Sequence, residues 1–172
     1  MHESCELRTE RLVMRPITAA EARSLHELWT SPGVRRFLWD DEIILWTRTE
    51  AMVAQSVGSF AERRFGLWGA WLTERPDVLA GFGGIWPMRD PPELELVYGV
   101  AEPLWNRGYA TEIGGTITDY CFMQLAMPVV RASTDWGNSA SSRVLEKLRF
   151  DFVRRGVSAG LDTVFYERQA SR

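Results

Sequence analysis

Between Phe65 and Val100 three strand-like runs follow one another with almost no chain to spare. Phe65–Leu72 is rich in aromatics and broken by glycines, and Val78–Trp86 ends at Pro87. Glu93–Val100 alternates strictly: Glu93, Glu95, Val97 and Gly99 fall on one side, Leu94, Leu96, Tyr98 and Val100 on the other. The turns between them, Glu74-Arg75-Pro76-Asp77 and Arg89-Asp90-Pro91-Pro92, leave room only for an antiparallel meander. The period then changes. Tyr109–Met123 reads as a helix whose apolar stripe is Ala110, Ile113, Gly114, Ile117 and Cys121, and Val129–Thr134 reads as the next strand. A meander followed by one short strand-helix-strand passage gives α+β character.

The flanks extend the pattern. Arg11–Ile17 alternates polar and apolar residues, with Pro16 marking an end or an edge. Thr18-Ala19-Ala20-Glu21 is a capping box before a helix with Ala22, Leu25, Leu28 and Trp29 on its apolar face, which Ser31-Pro32-Gly33 breaks. A second helix is predicted from about Thr47 to Arg63, with Met52, Val53, Val57 and Phe60 on one face. Asn138–Leu148 is a further helix that turns Ser141, Val144, Leu145 and Leu148 one way. Phe152–Val157 and Thr163–Arg168 close the chain as strands around Ala159-Gly160. With 172 residues and no repeat, low-complexity tract or linker, one domain over 1–172 is expected.

Net charge is −3, which argues against a general nucleic-acid binder. Cys5 and Cys121 are the only cysteines, and no metal-ligand spacing is seen, so no metal is expected. The charged start MHESCELRTERL has no apolar core of a signal peptide, and the apolar runs are too short to span a bilayer. A cytoplasmic protein without a membrane partner is the expectation. Cys121 lies on the apolar stripe and reads as core.

The stretch LWNRGYATE, 104–112, places Gly108 where a helix begins. Glycine permits a tight turn and close ligand approach. The first helical N–H groups lack intrahelical partners, and the helix dipole adds positive potential there. Such a terminus suits phosphate, though for Gly108 taken alone a plain strand-to-helix junction is the better explanation. Gly81-Phe82-Gly83-Gly84 lies within a strand pattern, so it fails as a nucleotide loop, and no P-loop is present.

Three segments in order carry a resemblance: Leu7–Arg15, then Glu95–Val100 leading into Trp105–Glu112, then Asn138–Phe150. Together they resemble the GNAT superfamily of acetyl-CoA-dependent N-acetyltransferases, most closely its ribosomal-protein alanine N-acetyltransferase (RimJ/RimL-type) branch. Asn106 and Arg149 stand where that branch usually has glycine. The resemblance covers nearly the whole chain. It implies a GNAT fold: a central, mixed, mostly antiparallel twisted sheet of about six to seven strands, flanked by about four helices, with a splayed strand pair for coenzyme A.

It also implies roles. Acetyl-CoA, the cosubstrate, would be held by its pyrophosphate at Trp105, Asn106, Arg107, Gly108, Tyr109, Ala110 and Thr111. The pantetheine would run beside Val97, Tyr98, Gly99 and Val100 like an added strand. A backbone N–H there would polarise the acetyl carbonyl. Glu95 matches the family's base, and a carboxylate tucked beside aromatics suits proton acceptance from an ammonium; a plain ion-paired strand glutamate is the alternative. Where many members carry a tyrosine, this chain has Leu145, so Ser141 is the nearby proton donor, unless its hydroxyl only bonds the preceding helical turn. Asn138 is a helix cap able also to bond the cofactor, and Arg143 could reach its phosphates. Trp29, Phe37, Trp39 and Trp46 lie in the segment that shapes the acceptor site in this family, where they would wall a groove or simply pack. The acceptor implied is a protein N-terminal α-amine. A small-molecule amine, such as an antibiotic or polyamine, is the alternative, and a non-catalytic coenzyme A-binding regulator is a rival of another class. A monomer or homodimer is expected.

Overall fold

A computed structural model describes residues 5–88 and 93–170. One sheet of eight strands runs through them in the order β1-β2-β3-β4-β5-β6-β8-β7. The strands are β1 (Leu7–Arg8), β2 (Leu12–Pro16), β3 (Leu67–Leu72), β4 (Arg75–Met88), β5 (Glu93–Val100), β6 (Val129–Asp135), β7 (Asp151–Ser158) and β8 (Leu161–Gln169). Every neighbouring pair is antiparallel except β5 and β6, which are parallel. Five α-helices accompany the sheet: α1 (Ala22–Thr30), α2 (Pro32–Leu38), α3 (Trp46–Arg63), α4 (Tyr109–Met123) and α5 (Ser139–Lys147). No helix among the described residues is long and apolar enough to cross a membrane.

The meander is as expected, but tighter. β4 begins at Arg75, opposite Leu72, so Thr73 and Glu74 alone make the turn that was expected over Glu74–Asp77. The turn expected at Arg89–Pro92 lies outside the described residues. β1 and α2 are additions to the sequence reading. Ser31-Pro32-Gly33 ends α1, yet Pro32 also starts α2, because the first helical position needs no N–H. The capping box at Thr18 is present, with Glu21 accepting from the Thr18 backbone N–H at 3.0 Å.

Two cores form on the two faces of the sheet. Leu12, Met14, Trp68, Ile113, Ile117, Cys121 and Leu145 belong to one, under α4 and α5. Ile17, Leu25, Trp29, Val53, Trp71, Phe82 and Trp86 belong to the other, under α1–α3. The glycine run in β4 is what lets α4 lie close: a Cβ on Gly83 would come within 2.6–2.7 Å of the Ile113 and Ile117 side chains. Cys121 is fully buried, and burial pushes its thiol up to about 12, which removes it as a nucleophile.

α3 departs from its expected stripe. Val53 is buried, but Val57 is exposed, and the inward face carries Thr49, Ser56 and Ser59. Thr49 Oγ1 lies 2.8 Å from His26 Nδ1, while the serine hydroxyls serve backbone groups near the start of β3: Ser56 Oγ accepts from Leu67 N–H at 2.8 Å, and Ser59 donates to the Phe65 carbonyl at 2.5 Å. Met52 and Phe60 pack, partly buried, against the two cores, so hydrogen bonding and apolar packing share that face.

Arg149, after α5, adopts a left-handed φ of 60°, as does Ala159 at 50° beside Gly160 at 83° in the β7–β8 hairpin. A side chain in that region costs about 1–2 kcal/mol, which glycine avoids at a smaller entropic cost. Arg149→Gly is expected to stabilise the protein by about 0.5–1 kcal/mol, seen as a rise of ~1–4 °C in the thermal midpoint.

Candidate functional site

β5 pairs with β4 along its whole length, from Met88↔Glu93 to Gly81↔Val100. Its other edge meets β6 at a single register pair, Glu95↔Arg131. From Val97 to Val100 that edge carries no ladder to β6, which leaves room for an added strand-like ligand, although the Val100 carbonyl already accepts from a side chain. At the top of β5 the chain passes through a short 3₁₀ turn, Glu102–Leu104, and enters α4. Trp105 donates its indole N–H to the Val100 carbonyl at 2.7 Å, tying the turn to the strand end.

Gly108 is the N-cap of α4, in the left-handed conformation with φ 83° and ψ 0°, and no side chain caps the helix. The α4 hydrogen-bond series starts with Glu112 N–H to the Gly108 carbonyl at 3.0 Å. The N–H groups just before it therefore face outward at the positive end of the helix dipole. Asn106 has φ 59°. It thus adopts the backbone shape for which glycine is usual, and asparagine is among the residues that tolerate it best. Arg149 does the same at its own site with a costlier side chain. Both departures from the expected glycines therefore preserve the conformation.

The turn is braced from the opposite end of the chain. Arg11 donates to the Arg107 carbonyl at 2.9 Å and, through Nε, to Glu112 at 2.8 Å. Its guanidinium also lies 4.3 Å from the centre of the Tyr109 ring. Thr9 bonds the other Glu112 oxygen. The segment Leu7–Arg15 and the glutamate of LWNRGYATE are thus one mechanical unit. Sequence reasoning had noted both stretches without their contact, since an arginine and a glutamate 101 residues apart carry no local signal of pairing.

Glu95 is 1% exposed. It faces the α1–α3 side, opposite Trp86 on β4, so it does lie beside an aromatic residue. The Ser133 hydroxyl on β6 donates to Glu95 Oε2 at 2.5 Å. That serine was not singled out from sequence; its place two residues beyond Arg131, Glu95's register partner, is what brings it there. Above it, Asn138 caps α5 by accepting from Ser141 N–H at 3.2 Å. The Ser141 hydroxyl lies 2.9 Å from the Tyr98 hydroxyl. Leu145 is fully buried in the core, one turn further along the same helix face. Arg143 is exposed on the outer face of α5.

The four aromatic candidates separate. Trp29 is 1% exposed and packs edge-on against Trp39 and Phe82, at ring-centre distances of 5.4 and 5.6 Å. Trp39 is half-buried, with Arg48 4.6 Å above its ring. Trp46 and Phe37 are exposed, Trp46 standing edge-on to His26 at 5.4 Å. Burial, with a smaller contribution from the charge of Asp40 beyond α2, holds the Asp135 carboxyl at the end of β6 above its usual value. The α2–α3 connection therefore reaches the β6 end.

The open-edged β5 and the glycine-started helix lie within residues 11–151, which match the acetyltransferase (GNAT) domain family. The chain belongs to that family. Its chemistry is accordingly acyl transfer. An uncharacterized N-acetyltransferase from Bacillus subtilis, YoaA, is 23% identical over 151 residues, 88% of this chain and 84% of its own. The acetyltransferase from Agrobacterium tumefaciens superposes with a TM-score of 0.81 at 22% identity, over 95% of this GNAT chain and 94% of that one. RimL, a ribosomal L7/L12 α-N-protein acetyltransferase solved with coenzyme A, gives 0.76 at 13% identity, over 94% and 95% of the two chains.

Removing the brace should be measurable. Arg11→Ala is expected to cost about 1–2 kcal/mol in urea unfolding, since the half-buried Glu112 loses charge-assisted bonds. The double variant with Glu112→Ala should be less than additive by about 1 kcal/mol, whereas additive losses would mean the two side chains act separately.

Proposed function

We propose that this acetyltransferase moves the acetyl group of acetyl-CoA to a primary amine, and that the amine is the N-terminal α-amine of a protein, attacking directly in a ternary complex. The observation that carries the reading is the single β5–β6 register pair below an open strand edge that ends at an uncapped helix N-terminus. Bound acetyl-CoA supplies the activated acyl group.

The residues fit that group. N–H groups of Arg107–Thr111 receive the pyrophosphate, with the Arg107 side chain adding charge. The edge Val97–Val100 accepts and donates as a strand would, and one of its N–H groups polarises the acyl carbonyl. The Asn138 amide and Arg143 assist from α5. Glu95 takes the proton that the attacking amine sheds, directly or through water, with Ser133 holding the carboxylate in place. Trp39, Phe37 and Trp46 wall the approach for the acceptor, while the buried Trp29 backs Trp39. A protein α-amine is favoured by the segments shared with the RimJ/RimL-type branch. The proposal is of a single-domain cytoplasmic enzyme.

Saturating acetyl-CoA, at a hundred times its Kd, should raise stability by about 2.7 kcal/mol; no shift in the melting curve would refute the cofactor assignment. Release of free coenzyme A should then be fastest with peptides bearing a free N-terminus in a panel that includes aminoglycosides and polyamines. A preference for either of the latter would transfer the assignment to small amines. Glu95→Gln is expected to lower kcat by about 10²–10⁴ across the pH range, read from initial rates.

A further inference from the structure

Tyr98 and Ser141 meet across the gap between β5 and β6. Tyr98 projects from β5 on the face opposite Glu95, toward α4, where its ring lies 3.6 Å from the position a Cβ on Gly114 would take. Its hydroxyl reaches α5 and lies 2.9 Å from Ser141 Oγ and 3.3 Å from the Ser141 carbonyl. Ser141 N–H is already held by Asn138. One residue is therefore gripped at its amide from its own helix and at its hydroxyl from the facing strand.

The 2.9 Å contact to Oγ lies within the normal range and either hydroxyl can donate in it, whereas 3.3 Å to the carbonyl is long for a hydroxyl donor. When the phenol donates to Ser141 Oγ, the serine's own proton is left for a different acceptor. Burial pushes the Tyr98 phenol up to about 12, so it keeps that proton at any ordinary pH. Leu145, one turn on and fully buried, brings no hydroxyl to this face of α5.

We propose that Tyr98 is a positioning residue for acyl transfer: it orients the Ser141 hydroxyl so that its proton points into the gap, as a hydrogen-bond donor to the departing sulfur. This rests on the function proposed above. In the transfer the acetyl carbon exchanges its C–S bond for a C–N bond, and the electron pair leaves on sulfur. No proton moves from the pair to the thiolate, because a phenol at about 12 and an aliphatic alcohol are both weaker acids than a thiol near ~8.5. The pair stabilises the charge as a fixed donor. The amine's proton goes to Glu95 and solvent, and solvent later protonates the thiolate, so charge and protons balance.

The test uses the full chain and its Tyr98→Phe, Ser141→Ala and double variants. Binding of coenzyme A and of its desulfo analogue is measured by calorimetry across pH 7 to 10, beside kcat, KM and thermal midpoint. In the parent protein, affinity for coenzyme A should rise by about tenfold as its thiol ionises, while the desulfo analogue shows no rise. Tyr98→Phe, which keeps the ring, should lose that rise and about tenfold in kcat with KM for acetyl-CoA unchanged, and the double variant should be no worse than Ser141→Ala. A Tyr98→Phe protein with the parent's pH-dependent binding and kcat would overturn the proposal and leave the enzyme assignment standing. If Tyr98→Phe does not fold, Ser141→Ala decides: a retained rise overturns the proposal, and a lost one supports it. No binding of coenzyme A by the parent would overturn this inference together with the function beneath it.

Discussion

The parting of two parallel strands is the constraint on which this molecule turns. β5 and β6 share one register pair, at Glu95 and Arg131, and from there β5 offers an edge in the middle of a sheet rather than at its rim. An unpaired edge inside a protein must find partners, because backbone N–H and C=O groups are costly to leave unsatisfied. A ligand with alternating amide groups answers that need. The parallel relation also requires a crossover, which α4 supplies, and it delivers the helix N-terminus to the top of the same strand. Strand edge and uncapped helix start are consequences of one topological choice.

The two halves of the sheet on either side of this gap are joined by side chains at separate heights. Ser133 reaches from β6 to Glu95 at the closed end. Tyr98 reaches from β5 to Ser141 on α5 further up. The faces differ too: Glu95 looks toward α1–α3 and Tyr98 toward α4. A group arriving between the strands would therefore meet a carboxylate from one face of the sheet and a hydroxyl pair from the other. On the mechanism proposed above, that division puts proton acceptance and charge stabilisation on opposite sides of one reacting centre. Around the turn above, Glu112 gathers Arg11 and Thr9, so the connection between β1 and β2 braces a loop almost a hundred residues away.

Much of the fold could be read from local pattern. β5 and α4 have the bounds that periodicity predicted, because strict alternation and a strong apolar stripe leave little ambiguity. α1 buries all four residues assigned to its inner face. The pattern failed where polar groups do the packing: α3 buries Thr49, Ser56 and Ser59 and exposes Val57, since hydroxyls were needed by backbone groups near β3. It failed also at α2, where proline, read as a breaker, begins a helix. The glycine substitutions at Asn106 and Arg149 were legible only as departures; that both residues keep the left-handed backbone is a fact of the folded chain.

What the sequence determined by itself is the order of strands and helices apart from β1 and α2, the meander, the glycine that starts α4, and the three segments that mark the GNAT family, all of which depend on neighbours within a few residues. The tertiary structure alone decided the pairings: Arg11 with Glu112, Ser133 with Glu95, Tyr98 with Ser141, and the point at which β5 and β6 part. Such contacts join residues from 38 to 101 positions apart. Their partners are selected by the register and twist of the assembled sheet, and a hydroxyl or carboxylate carries no sign of which distant group it will meet until the two cores have closed on either side of it.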